Sequence, residues 1–84
     1  MTHTCPSCGY AGLSIGPQIG NDYSYDICPC CRFQFGKTDM DEGYSYAQWR
    51  DKWIQEGMQW WSPSDKIPSD WTPVEQLKNI GVIL

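Results

Sequence analysis

The sequence predicts one small α+β domain, in which two cysteine turns on a β-hairpin are followed by two short helices. Three observations support this fold class. The chain has 84 residues, which is enough for one domain and too few for a second core. The pattern Cys-Pro-x-Cys occurs twice, at 5–8 and 28–31. Aromatic residues at helical spacing follow in the second half of the chain. We therefore expect a single domain over residues 1–84.

Residues 4–36 are predicted to form the β unit that carries the cysteines. Glycine, proline and asparagine residues between the two cysteine pairs mark turns. Apolar residues then alternate with polar ones, which is the period-2 pattern of a half-buried strand. The alternating apolar positions are Tyr23, Tyr25, Ile27, Phe33 and Phe35. This pattern predicts a hairpin whose tip carries the second cysteine pair, residues 28–31.

Residues 45–57 are predicted to form the first helix. Ser45 is a favourable N-cap, and Gln48 three residues later completes a capping box. Gly57 is a natural stop signal. The aromatic residues expected on one face of this helix are Tyr46, Trp49 and Trp53.

Residues 58–84 are predicted to form an irregular segment followed by a short C-terminal helix. Prolines, serines and three tryptophans occupy the irregular part. The helix is expected to begin after Thr72, because Pro73 suits the first helical position and Glu75 offers a second capping box. We expect it to end near Gly81.

The two cysteine pairs have the spacing of a four-thiolate metal site. Two residues between paired cysteines let both sulfurs point at one ion, and tetrahedral zinc accepts four thiolates. Gly9 after the first pair tolerates a positive φ, whereas Arg32 occupies the equivalent position in the second. Nineteen residues separate the pairs, which is usual for such sites. The predicted ligands of one zinc ion per chain are Cys5, Cys8, Cys28 and Cys31.

Cys30 is the fifth cysteine, and its role stays open between inert, reactive and a replacement for Cys31. Aligning the two turns places Cys30 opposite Ser7, a non-ligand position, which favours Cys31 as the ligand. We expect the neighbouring thiolates to raise the pKa of Cys30.

Other uses of the cysteines are disfavoured. An odd number of cysteines and the absence of a signal sequence argue against a disulfide framework. Neither cysteine pair opens an amphipathic helix, which argues against a redox-active pair. Iron is the remaining alternative to zinc, because four thiolates suit both metals.

Composition excludes several classes of function. Six basic and ten acidic residues give a net charge of −4. Four thiolates carry −4 and a divalent ion +2, so a loaded site takes the charge to about −6. The basic residues do not cluster along the chain, so no nucleic-acid partner is expected. No apolar run approaches the ~18–20 residues that cross a bilayer, so a cytoplasmic protein without a membrane role is expected. With one histidine and no recognisable catalytic constellation, no enzyme activity is expected.

An acidic connector, residues 37–44, joins the cysteine unit to the first helix. The chain resembles the bacterial cysteine-rich CPCC family in the runs CPSCGY and YDICPCC, in this connector and in the tryptophan-bearing helix. The resemblance covers residues 4–60. Members of that family look like zinc ribbons, which implies rubredoxin-like turns on a β-hairpin. The resemblance implies that the same four cysteines are the metal ligands. It implies no catalytic activity that could be assigned to this chain.

Five tryptophans remain the most unusual feature of the composition. Trp60, Trp61 and Trp71 fall in irregular chain, where they either wrap over the metal unit or form an exposed recognition patch. The predicted function is a structural-zinc module for protein interaction or regulation, with these three residues binding a protein partner. The acidic charge favours a basic partner. The alternative is rubredoxin-like electron transfer with iron in the same four-cysteine site.

Overall fold

Regular secondary structure occupies a small part of the chain, and turns carry the rest. The computed structural model describes residues 2–84, so Met1, the first residue of the predicted domain, lies outside the described residues. The elements are β1 (Gln18–Ile19), β2 (Asp22–Tyr23), α1 (Tyr46–Gln55) and α2 (Pro73–Leu77), which continues into a 3-10 turn (Lys78–Ile80). Across the described chain, neither helix is long and apolar enough to cross a membrane.

The β structure consists of one short hairpin and isolated bridges. β1 and β2 pair antiparallel, with Gln18 opposite Tyr23. A second antiparallel contact joins Ile27 to Gln34 and encloses the second cysteine pair. The predicted hairpin with residues 28–31 at its tip is therefore present, although its regular strand pairing is limited to this bridge.

The strand predicted over residues 23–27 is wrong beyond Tyr23. Tyr25 has a φ of 57°, and a left-handed residue cannot continue a pleated strand. The N–H of Tyr25 donates to the carbonyl of Phe35, and the N–H of Phe35 donates to the carbonyl of Asp26. Two residues thus face one, as in a β-bulge. The bulge leaves Tyr25 and Ile27 exposed rather than half-buried.

Helix α1 begins and ends at the predicted signals. The N–H of Gln48 donates to the hydroxyl of Ser45 at 3.1 Å, and the N–H of Ser45 donates to Gln48 Oε1 at 2.9 Å, which forms the capping box. At the other end Gly57 is left-handed, and the N–H of Met58 donates to the carbonyl of Trp53. This is a Schellman C-terminus.

Helix α2 is shorter than its signals suggest. Pro73 is the first helical residue, as predicted. The side chain of Thr72 makes no capping bond, so the predicted capping box with Glu75 is not formed. Glu75 instead pairs with Lys78 at 3.0 Å. The helix tightens into the 3-10 turn and ends at the left-handed Gly81.

The core lies where the cysteine turns meet the two helices. α1 contributes Trp49 and Trp53, and α2 contributes Leu77. The remaining buried hydrophobic side chains are Cys5, Cys8, Leu13, Cys28, Cys30, Cys31, Phe33 and Phe35. Five of these eleven core residues are cysteines, so the packing of the domain depends on how their sulfurs are bonded.

Candidate metal centre

Four cysteine sulfurs meet in the core. The Sγ atoms of Cys5, Cys8, Cys28 and Cys31 all lie within 4.8 Å of one another. The sulfurs of Cys5 and Cys31 are 3.9 Å apart, and those of Cys8 and Cys28 are 3.7 Å apart. A tetrahedron with metal–sulfur bonds of about 2.3 Å has edges of about 3.8 Å. The measured sulfur–sulfur distances therefore fit a tetrahedral ion.

The first cysteine turn, residues 5–10, is closed by two backbone hydrogen bonds. The N–H of Gly9 donates to the carbonyl of Cys5 at 2.9 Å. The N–H of Cys5 donates to the carbonyl of Tyr10 at 2.8 Å. Gly9 has a φ of 86°. These bonds bring Cys8 back over Cys5, so both sulfurs face the same point.

The second cysteine turn, residues 28–33, repeats the first bond for bond. The N–H of Arg32 donates to the carbonyl of Cys28 at 2.9 Å, and the N–H of Cys28 donates to the carbonyl of Phe33 at 3.0 Å. Arg32 takes the place of Gly9 with a φ of 72°. A side chain in this left-handed region costs about 1–2 kcal/mol.

Helices α1 and α2 both dock on the first cysteine turn. A Cβ added to Gly9 would overlap the backbone carbonyl oxygen of Gln76. Gln76 Nε2 donates to the carbonyl of Cys8 at 3.0 Å, and Asn79 Nδ2 donates to the carbonyl of Gly9 at 2.9 Å. From α1, the guanidinium of Arg50 donates to two more carbonyls of this turn. The turn is therefore enclosed by the chain itself.

The second cysteine turn is covered by tryptophan residues and their backbone. The indole N–H of Trp49 donates to the carbonyl of Cys31 at 2.9 Å. The backbone N–H of Trp61 donates to the carbonyl of Cys30 at 3.0 Å, and the backbone N–H of Ser62 donates to the carbonyl of Pro29 at 2.9 Å. The segment after α1 is thereby fixed along one side of this turn.

The electrostatics of the cluster favour a bound cation. A hydrogen bond with Cys28 is the main cause that lowers the pKa of Cys5, whereas hydrogen bonds with Cys28 raise the pKa of Cys8 and of Cys31. One thiolate is stabilised by its thiol neighbours, and further ionisation is opposed by the charge already buried. A divalent ion removes that opposition, so metal binding and full deprotonation occur together.

Cys30 lies beside the cluster and outside the group of four mutually close sulfurs. It is fully buried, and its sulfur accepts a hydrogen bond from Gln76 Nε2 at 3.3 Å. The pKa of Cys30 is lowered, chiefly by a hydrogen bond with Cys8 and also by the Gln76 amide. The expectation of a raised pKa is therefore wrong for the protonated cluster, because the hydrogen bonds with Cys8 and Gln76 outweigh burial and the charge of Cys5, which both raise the pKa.

The three predicted partner-binding tryptophans have different surroundings. Trp60 and Trp71 are half-buried and pack edge to face, with ring centres 5.7 Å apart. Their indole N–H groups donate to the carbonyl of Asp65 and to Gln76 Oε1 respectively. Trp61 is 47% exposed. Two of the three thus wrap over the metal unit, and one faces outward.

Trp61 differs from the other four tryptophans in its hydrogen bonding. Each of those four donates its indole N–H to an acceptor in the chain. Within residues 2–84 the indole N–H of Trp61 has no such acceptor. Its ring borders a cleft of about 280 Å³. The aromatic floor of that cleft comes from Trp49 and Trp53, and its cations are Arg32 and Lys52.

A second cleft of about 180 Å³ adjoins the first and shares Arg32, Trp49 and Trp61 with it. We call the two clefts together the Trp61 groove. The second adds Lys37, so three of the six basic residues line one surface although they are separated in sequence. Sequence reasoning missed this grouping. The available signal was Arg32, an arginine at a position where the turn favours glycine.

Comparison with known proteins identifies two relatives. The chain matches no family model, and no solved structure matches it. It is 34% identical over 92 aligned positions to YoaQ of Bacillus subtilis (strain 168), covering 92% of this chain and 72% of that protein. It is 35% identical over 85 positions to YozI of the same organism, covering 81% of this chain and 69% of the relative. Both relatives are described as uncharacterized proteins, so they indicate a family relationship and no activity.

Proposed function

The chain belongs to the same family as the small Bacillus subtilis proteins YoaQ and YozI, and from this premise we propose that it is a zinc-stabilised protein-interaction module. The observation that carries the metal half of the proposal is the cluster of four buried cysteine sulfurs. We infer one zinc ion per chain, bound by Cys5, Cys8, Cys28 and Cys31. The fold we propose is a zinc ribbon of the CPCC type.

The burial of the ligands supports a structural role for the ion. Catalytic zinc keeps one coordination position open for water or substrate, whereas structural zinc is enclosed by four protein ligands. Three of the four cysteines are fully buried, and Cys31 is 4% exposed. So enclosed a set of ligands leaves little room for a substrate at the ion, which supports a structural rather than a catalytic ion.

Iron with an electron-transfer role is the alternative, since an all-thiolate site suits both metals. Elemental analysis of protein purified from its native cell distinguishes the two. We expect one zinc per chain and a colourless protein. A red protein with one iron per chain would replace the structural-zinc proposal with electron transfer.

The interaction half of the proposal depends on Trp61. Tryptophan is enriched at binding hot spots, because its ring buries a large area and its N–H seeks an acceptor. Of the predicted set, Trp60 and Trp71 already use their rings and N–H groups within the chain. The ring and the indole N–H of Trp61 are both available to a partner. A four-thiolate zinc site requires reduced cysteines, so we propose a cytoplasmic location.

Alanine variants at the three tryptophans test the interaction role. We expect Trp61→Ala to keep the metal and the melting temperature and to lose the proteins captured by the tagged wild type in native cells. Trp60→Ala and Trp71→Ala should lower the melting temperature, since both rings pack on the core. Ile19→Ala is the matched control, because Ile19 is also an exposed apolar residue, at 59%, and lies outside the groove. Unchanged capture by Trp61→Ala would contradict this role.

A further inference from the structure

We propose that the Trp61 groove binds an acidic segment of a partner protein. A carboxylate of that segment contacts the guanidinium of Arg32, and a neighbouring apolar side chain packs against Trp61. This inference rests on the proposed interaction role and specifies the chemistry of the partner.

The guanidinium of Arg32 is held in place before any partner arrives. Its backbone N–H closes the second cysteine turn, bonded to the carbonyl of Cys28 at 2.9 Å. Its guanidinium lies 5.3 Å from the ring centre of Trp49, in stacking range. A cation fixed at both ends loses little conformational freedom on binding.

Arg32 has unused hydrogen-bonding capacity. Within residues 2–84 its guanidinium has no carboxylate within ion-pair distance and makes no hydrogen bond. Arg50, by contrast, donates from two nitrogens to carbonyls of the first cysteine turn. Planar guanidinium groups match carboxylates through two parallel bonds. The free groups of Arg32 therefore suit a carboxylate.

Local stability does not account for an arginine at this position. The equivalent residue of the first cysteine turn is Gly9, which adopts the same conformation without strain. The stacking of Arg32 on Trp49 offsets only part of the strain. One further role is balancing the negative charge of the metal and its four thiolates, and the experiment below separates that role from partner binding.

The apolar half of the groove is equally preformed. The backbone of Trp61 is fixed by its bond to the carbonyl of Cys30, and Trp61 lines the larger cleft together with Trp49 and Trp53. The larger cleft measures about 280 Å³, just below the range of about 300–1,000 Å³ usual for small-molecule sites. This size suits one or two side chains of a protein segment.

The charges around the groove select a short acidic segment over a long polyanion. Lys37 and Lys52 pair with Glu42 and Glu56, at 3.6 and 2.9 Å. The two charges within each pair cancel, so Arg32 supplies the net positive charge of the groove. Nucleic-acid phosphates would meet both glutamates on a chain of net charge −4. The proposed acidic segment differs from the basic partner that the total charge predicts, because the charge of the groove is opposite to that of the whole chain.

A random dodecapeptide library displayed on phage, selected on the immobilised full-length metal-loaded protein, tests the proposal. We expect the selected peptides to carry Asp or Glu beside an aromatic or aliphatic residue. Titration of one selected peptide should show about tenfold or greater weakening by Arg32→Gln, since a charge-assisted pair is lost. Arg32→Lys should recover part of the affinity. Lys66→Gln is the matched control, because it removes an equal charge outside the groove and should stay within about twofold.

Several outcomes would overturn the proposal that the groove binds an acidic segment. These are a library that yields basic peptides or none, tighter binding of an oligothymidylate than of any peptide, and an Arg32→Gln variant that loses metal while keeping its affinity. The last result would assign Arg32 to the charge balance of the metal site. If Trp61→Ala weakens a selected peptide and Arg32→Gln does not, the interaction role stands and the carboxylate contact falls. If neither variant weakens it, both proposals fall.

Discussion

The two cysteine turns share one backbone geometry and have opposite surroundings. Both close through the same two hydrogen bonds and carry a left-handed residue after the second cysteine. In the first turn that residue is Gly9, buried under the carbonyl of Gln76. In the second it is Arg32, exposed in the Trp61 groove. The cysteine geometry thus tolerates a side chain at this position where nothing packs over it.

Removing the ion breaks both turns at once and should have the largest effect. Structural zinc contributes an apparent ~10–16 kcal/mol in small domains, which equals or exceeds the whole stability of a typical one. We expect chelation under reducing conditions to abolish the cooperative melting transition followed by circular dichroism. Readdition of zinc is the control and should restore it. A metal-free chain with an unchanged melting curve would contradict this view.

Gly9→Ala breaks only the first turn. The new Cβ would overlap the Gln76 carbonyl in addition to straining the backbone, so we expect a loss of about 3 kcal/mol or more. For a domain of this size that lowers the melting temperature by roughly 12 °C or more. Gly20→Ala is the control, because Gly20 is also left-handed and faces open space. It should cost about 1–2 kcal/mol, and equal losses would mean that α2 does not clamp the first turn.

Gln76→Ala removes the polar contacts between α2 and the cysteines. Its amide serves the carbonyl of Cys8, the sulfur of Cys30 and the indole N–H of Trp71. Leaving buried partners unsatisfied should cost about 1–3 kcal/mol in denaturant unfolding. Gln55→Ala, at the exposed end of α1, should stay within about 0.5 kcal/mol. Indistinguishable unfolding of the two variants would show that α2 docks through Leu77 alone.

Arg32→Gly makes the second turn resemble the first and should have the smallest effect. Relief of backbone strain of about 1–2 kcal/mol opposes the lost stacking on Trp49, worth about 0.5–1 kcal/mol. We expect the free energy of unfolding to change by no more than about 1.5 kcal/mol. A loss above about 2 kcal/mol would mean that Arg32 supports the turn itself, and the contrast with Gly9 would disappear.

The parts of the fold that sequence predicted are those set by neighbouring residues. The capping box of Ser45 and Gln48, the stop at Gly57 and the first helical position of Pro73 each depend on residues a few positions apart. The spacing within each cysteine pair likewise fixes where its two sulfurs point. Local patterns of this kind are visible in the sequence because the hydrogen bonds that satisfy them are local.

The parts that sequence missed depend on distant contacts. Gln76 reaches Cys8 across 68 positions, and nothing in the helix signals announces that contact. The alternation through Tyr25 predicted a strand, yet the bulge opposite Phe35 ended it. The separation of the basic residues in sequence does not reveal that the fold places Arg32 and Lys52 on one surface.

The central claim is that the sulfurs of Cys5, Cys8, Cys28 and Cys31 hold one ion while Cys30 stands aside. Native mass spectrometry of Cys30→Ser and Cys31→Ser, each purified under reducing conditions, tests it most directly. We predict one metal ion per chain in Cys30→Ser, as in the wild type, and none in Cys31→Ser. Full metal in Cys31→Ser together with loss of metal in Cys30→Ser would contradict the assignment and make Cys30 the fourth ligand.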